Sequence, residues 1–85
     1  MYEIYLANNK TEKLLNRYIK ERQDIAGKLQ RLKQSPRTEI GAHPLHGRLA
    51  GKWSCWLGSD IRMIYSIEDS TKRIVVEAVG SHKIY

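Results

Sequence analysis

Residues 51–85 read GKWSCWLGSDIRMIYSIEDSTKRIVVEAVGSHKIY. Three short apolar runs, 52–57, 61–68 and 73–79, are divided by Gly58-Ser59-Asp60 and by Asp69-Ser70-Thr71-Lys72. Each run is rich in aromatic or β-branched residues, and each break holds turn formers. The breaks are too short for a parallel crossover, so the stretch is predicted to be a three-stranded antiparallel meander. In that topology the end of the first strand (Trp56), the start of the second (Arg62) and the residues after the third (His82, then Tyr85) meet at one rim. An indole, a guanidinium, an imidazole and a phenol gathered there make the rim the candidate active site.

Working upstream, Tyr2, Ile4 and Leu6 alternate with Glu3 and Tyr5, the period of a strand. Asn8 or Asn9 can cap a following helix, and Asn9 with Glu12 has the spacing of a capping box. Apolar residues at 14, 15, 18 and 19, and then at 25, 29 and 32, keep helical spacing. The two sets drift apart around the polar residues 20–23, which predicts two helices, about 9–20 and 22–34. Ser35-Pro36 ends the second, because proline disfavours the α conformation in the residue before it. Residues 36–50, with two Pro, two Gly and two His, are expected to be a long connection. The resulting order β-α-α-β-β-β defines an α+β domain spanning 1–85, with two N-terminal helices on one face of a small, mainly antiparallel sheet. The alternation does not say which of the later strands pairs with the first.

Composition narrows the classes of function. Eighty-five residues, 41% of them hydrophobic, allow a single modest core. No apolar run approaches the ~20 residues of a membrane span, and the N-terminus lacks the pattern of a signal peptide. One cysteine permits no internal disulfide and fits a reducing cytoplasm. Residues 10–37 hold nine Lys or Arg against three acids, and so carry the whole net charge of +6. A basic segment of this kind suits a polyanion or an acidic protein, or forms a solvated helix face.

Each candidate residue has two readings. Arg62 at the rim can grip a phosphate through paired hydrogen bonds and stabilise charge growing on it; alternatively it pairs with Asp60 or Glu77. His82 can give or take a proton near neutral pH, or is a polar terminal residue. Tyr85 can stack on a base or plug the core. Trp56 is a stacking platform if exposed and a cover for the sheet face if not. His43 and His46 can assist proton transfer if their connection folds over the rim, although strand polarity brings that connection into the sheet at the far end from Arg62. Their spacing makes no metal site. Lys52, Arg48 and Lys83 are, with Trp56, the expected RNA-binding residues. No nucleotide-binding glycine pattern, GxSxG elbow or HExxH occurs. For arginine, histidine and tyrosine converging without a metal, RNA cleavage through the 2′-hydroxyl is one candidate chemistry among several.

The series Leu45-x-Gly47, Gly51-x-Trp53-Ser54-Cys55, Asp60-x-Arg62-x-Ile64-Tyr65 and Gly80-Ser81-His82-x-x-Tyr85 resembles the RelE/ParE toxin superfamily of toxin–antitoxin systems, and within it the RelE and YafQ-like branch. The resemblance covers the whole chain. It implies an endoribonuclease that cuts ribosome-bound mRNA, needs no metal or other cofactor, works in the cytoplasm and is silenced by a cognate antitoxin. It places Arg62 at the family's strand arginine, His82 at its terminal His or Arg, Tyr85 at its terminal aromatic, His43 at the YafQ-like loop histidine and His46 at a position often basic. Trp56 departs from the pattern, standing where relatives carry Lys or His, and the His82–Tyr85 spacing is one residue short. Two alternatives accompany this reading: a ParE-like inhibitor of DNA gyrase, and a non-catalytic protein that binds an antitoxin and represses transcription.

Overall fold

The computed structural model describes residues 1–58 and 60–81. Five strands form one sheet in the order β1-β5-β4-β3-β2: β1 (Glu3–Leu6), β2 (His43–Pro44), β3 (Trp53–Trp56), β4 (Ile61–Glu68) and β5 (Arg73–Ser81). Helices α1 (Asn9–Glu21) and α2 (Asp24–Gln34) lie between β1 and β2 in the chain. The meander is antiparallel throughout. β1 runs parallel to β5, with Glu3 opposite Arg73 and Leu6 opposite Val76. The sheet is therefore mixed, and the strand formed first in the chain pairs with the one formed last.

Alternation along the strands divides the sheet into two faces. Cys55, Leu57, Ile61, Met63, Tyr65, Ile74, Val76 and Val79 are buried against Leu15 of α1 and Ile25, Leu29 and Leu32 of α2. The α2 residues recur at the spacing of one helical stripe. Burial of each contributes about 1.5–3 kcal/mol. One irregularity sits in this pattern. Ile64 faces Ala78 while Tyr65 faces Val76, so Glu77 is an extra residue, and the bulge lets both Val76 and Val79 point into the core.

Local chemistry sets the helix ends. Asn8, in extended conformation, caps α1 by accepting a hydrogen bond from the Thr11 backbone N–H at 2.8 Å. The cap is thus Asn8 and not the Asn9–Glu12 pair. Ser35 closes α2 with its N–H on the Arg31 carbonyl. Beyond it, the buried Tyr65 hydroxyl donates to the Pro36 carbonyl at 2.7 Å, tying the end of α2 to the middle of β4. Burial pushes the Tyr65 hydroxyl well above its ordinary pKa, so it remains a donor. At the same end of the sheet, Arg37 donates to both Asp69 oxygens at 3.1 and 2.8 Å, and the Tyr2 hydroxyl donates to Asp69 at 2.6 Å. These donors hold the Asp69 carboxyl down at about 2.

The connection 36–50 is more structured than expected. It contains two single 3₁₀ turns, Glu39–Gly41 and Gly47–Leu49, with β2 between them. β2 pairs antiparallel with β3, His43 opposite Ser54 and Pro44 opposite Trp53. A two-residue strand containing proline has no detectable period, and proline is tolerated there because β2 is a sheet edge. Among the described residues no helix is long and apolar enough to cross a membrane.

Candidate active site

The register of the meander determines which side chains share the rim. Trp56 lies directly opposite Arg62, and Arg62 lies directly opposite Gly80. Directly opposed residues project to the same face. For Trp56 and Arg62 that is the face away from the helices, since their neighbours Cys55, Ile61 and Met63 point into the core. Ile61 pairs with Ser81, so the described part of β5 reaches this rim. His82, Lys83 and Tyr85, expected there from strand direction, lie outside the described residues.

Arg62 leans toward β3. Its guanidinium carbon stands 4.0 Å from the centroid of the Trp56 ring, a stacked cation–π contact. On its other side Gly80 presents no side chain. Trp56 is half-buried, and Arg62 occupies one face of its ring. Along the far edge of the indole runs the backbone of Gly41, where an added Cβ would lie 2.8 Å from Trp56 Cδ1. Gly41 has φ +70 and the preceding Ile40 has φ +47. Two successive left-handed residues bend the chain tightly over the indole before β2 begins.

This bend overturns the expectation from strand polarity. Because β2 runs antiparallel to β3, its beginning, not its end, points toward the Arg62 rim. His43 opposes Ser54, two residues along β3 from Trp56, and shares the face of Trp56 and Arg62. Two strand spacings, about 10 Å, separate β2 from β4. The imidazole is exposed, and its Nδ1 lies 3.0 Å from the Gly41 carbonyl oxygen. A carbonyl only accepts, so Nδ1 carries the proton, and in the neutral ring Nε2 then holds the lone pair. Nε2 is then the ring atom able to accept a proton.

The remaining candidates lie elsewhere. His46 and Arg48, both exposed, belong to the turn joining β2 to β3 at the Pro44–Trp53 end, away from Arg62. Lys52 is near that end too, and its Nζ is 2.5 Å from a Glu77 oxygen. Glu77 is thus engaged by Lys52. The helices cover the other sheet face, but two of their basic side chains reach the β3–β4 turn beside the rim: Lys28 Nζ donates to the Leu57 carbonyl at 3.2 Å, and the Arg22 guanidinium lies against Gly58. Among the described residues no group of three or more His, Cys, Asp or Glu side chains could hold a metal ion. Cys55, fully buried, has its thiol pushed up to about 12 by desolvation and takes no part in the rim. Sequence reasoning missed the Trp56–Arg62 stack and the part played by Gly41. The first was implicit in the strand register; no periodicity announces the second.

Comparison with solved structures places this architecture. The chain is similar to the YoeB/ParE toxin from Agrobacterium tumefaciens (20% identity, TM-score 0.74, covering 96% of this chain and 99% of that one). It is also similar to a chain of the heterotetrameric YoeB–YefM toxin–antitoxin complex from Staphylococcus aureus (17% identity, TM-score 0.75, 96% and 98%). YafQ from E. coli is a third (19% identity, TM-score 0.67, 96% and 94%). No protein-family model and no curated protein matches the sequence. The fold is that of the RelE-like toxins: two helices on a five-stranded mixed sheet.

Proposed function

We propose that this chain is a toxin of the RelE/ParE superfamily, of the RelE/YafQ-like branch, and that it cleaves ribosome-bound mRNA by attack of a 2′-hydroxyl on the adjacent phosphate. The observation that carries the reading is the placement of His43 on the same sheet face as Arg62, with Nδ1 held by the Gly41 carbonyl. His43 Nε2 takes the 2′-hydroxyl proton as the 2′-oxygen bonds to phosphorus. Arg62 binds the phosphate and stabilises the added negative charge of the phosphorane. His82 protonates the departing 5′-oxygen, leaving a 2′,3′-cyclic phosphate and a 5′-hydroxyl. Tyr85 stacks on or orients the substrate.

The helical surface has its own role in this reading. The basic helices cover the other sheet face and offer a surface for ribosomal RNA or for the acidic parts of a cognate antitoxin. Support for an antitoxin comes from the YoeB–YefM complex among the structural neighbours. Arg48, Lys52 and Lys83 supply further phosphate contacts, Arg48 and Lys52 from the Pro44–Trp53 end of the sheet, away from Arg62.

The test is cleavage mapping in a translating extract with the parent and with His43→Ala, Arg62→Ala and His82→Ala. The parent should cut mRNA and leave cyclic phosphate ends, and each variant should lose activity. Variants that cut like the parent would overturn the assignment. Inhibition of gyrase supercoiling without RNA cleavage would identify the ParE-like alternative, and absence of any growth inhibition the antitoxin-binding repressor.

A further inference from the structure

We propose that Trp56 is a positioning residue that, together with Gly41, sets the Arg62 guanidinium and the His43 imidazole relative to one another. The inference rests on the nuclease reading for its catalytic consequence, but the geometry it describes is testable without it.

The indole is the middle member of a contact series that crosses three strands. On its β4 side the Arg62 guanidinium stacks at 4.0 Å, closer than the other cation–ring approaches among the described residues: Arg37 over Trp53 at 5.8 Å, and Lys72 over Tyr2 and Arg73 over Tyr5, each at 4.9 Å. Gly80 lies on the other side of Arg62. A flat aromatic neighbour gives the planar guanidinium a preferred plane. On the β2 side the indole edge abuts Gly41, at a distance that leaves no room for a Cβ. The carbonyl of that same glycine receives the His43 Nδ1–H. Moving the indole therefore moves the cation on one side and the backbone that orients the proton acceptor on the other.

Trp56 has no proton to exchange at neutral pH and carries no charge, so it adds nothing to the chemistry directly. Its contribution is alignment. Misplacement of a catalytic group by about 1 Å costs on the order of 100-fold in rate, so alignment should appear in kcat and leave KM near the parent value. A base-stacking role for Trp56 would do the reverse and raise KM.

The experiment uses Trp56→Leu, which keeps apolar bulk without a π face, and Trp56→Phe, which keeps a smaller π face. NMR of the free protein should show Arg62 side-chain resonances moved upfield by the indole ring current. The shift should vanish in Trp56→Leu and persist in part in Trp56→Phe. With mRNA programmed on ribosomes, Trp56→Leu should lower kcat by about 10- to 100-fold with KM little changed, and Trp56→Phe should recover part of the loss. Arg62 resonances identical in the parent and Trp56→Leu would overturn the proposal, as would full cleavage by Trp56→Leu alongside inactive Arg62→Ala. If Arg62→Ala itself cleaves like the parent, the nuclease reading falls, and the ring-current shift still decides whether the indole holds the arginine.

Discussion

Replacing Tyr65 with phenylalanine removes one oxygen from the centre of the molecule, and its cost follows from where that oxygen points. Tyr65 is fully buried, and its hydroxyl donates to the Pro36 carbonyl at 2.7 Å. Pro36 is itself buried, so in Tyr65→Phe the carbonyl loses its partner with little access to water. An unsatisfied buried acceptor costs about 1–3 kcal/mol, while the ring packing is retained. For a domain of this size each kcal/mol lowers Tm by about 4–8 °C, so a central value of 2 kcal/mol corresponds to a fall of roughly 8–16 °C. Thermal unfolding by circular dichroism measures it. Urea unfolding should show a lower midpoint with an unchanged slope, the mark of lost stability without a change in exposed surface. A Tm within about 2 °C of the parent would mean that the Pro36 carbonyl finds water, and would refute its description as a sealed contact.

Two further predictions concern titration and reactivity. Asp69 has a folded pKa of about 2 against an ordinary 3.8, so its ionised form favours the native state above pH ~4. That contribution disappears as pH falls from about 4 to about 2; the stability gap between the parent and Asp69→Asn should close across that window, and a constant gap would count against the Arg37–Asp69–Tyr2 contacts. Cys55, with its thiol pushed up to about 12 and no exposed surface, should resist a disulfide-exchange reagent in the native protein and react once guanidinium unfolds it; fast reaction in native buffer would contradict its placement.

Much of the architecture was legible because it rests on local periodicity. The β4 strand was readable to its observed ends, 61–68, since its alternation is bounded by turn residues on both sides. The helices were placed to within about two residues. β5 runs two residues past the predicted 73–79: Gly80-Ser81 has turn composition, yet the register seats Gly80 beside Arg62. The parallel pairing of β1 with β5 was not legible, because alternation assigns a strand its faces and not its neighbours. β2 was invisible for a different reason: its two residues owe their conformation to pairing with β3 and to the left-handed Ile40 and Gly41 before them. At the candidate site, alternation placed Trp56 and Arg62 on one face, but not His43, whose position depends on that same unforeseen strand.

Parallel pairing of β1 with β5 has a bearing on biosynthesis. A growing polypeptide emerges from its amino end, so the helices and the β3–β4 hairpin can form while β1 still lacks its partner β5. Native closure joins segments separated by most of the chain's length, a topology that slows folding because the intervening loop must first be gathered in. The β1–β5 pair is therefore a late contact, possible only once β5 has been made.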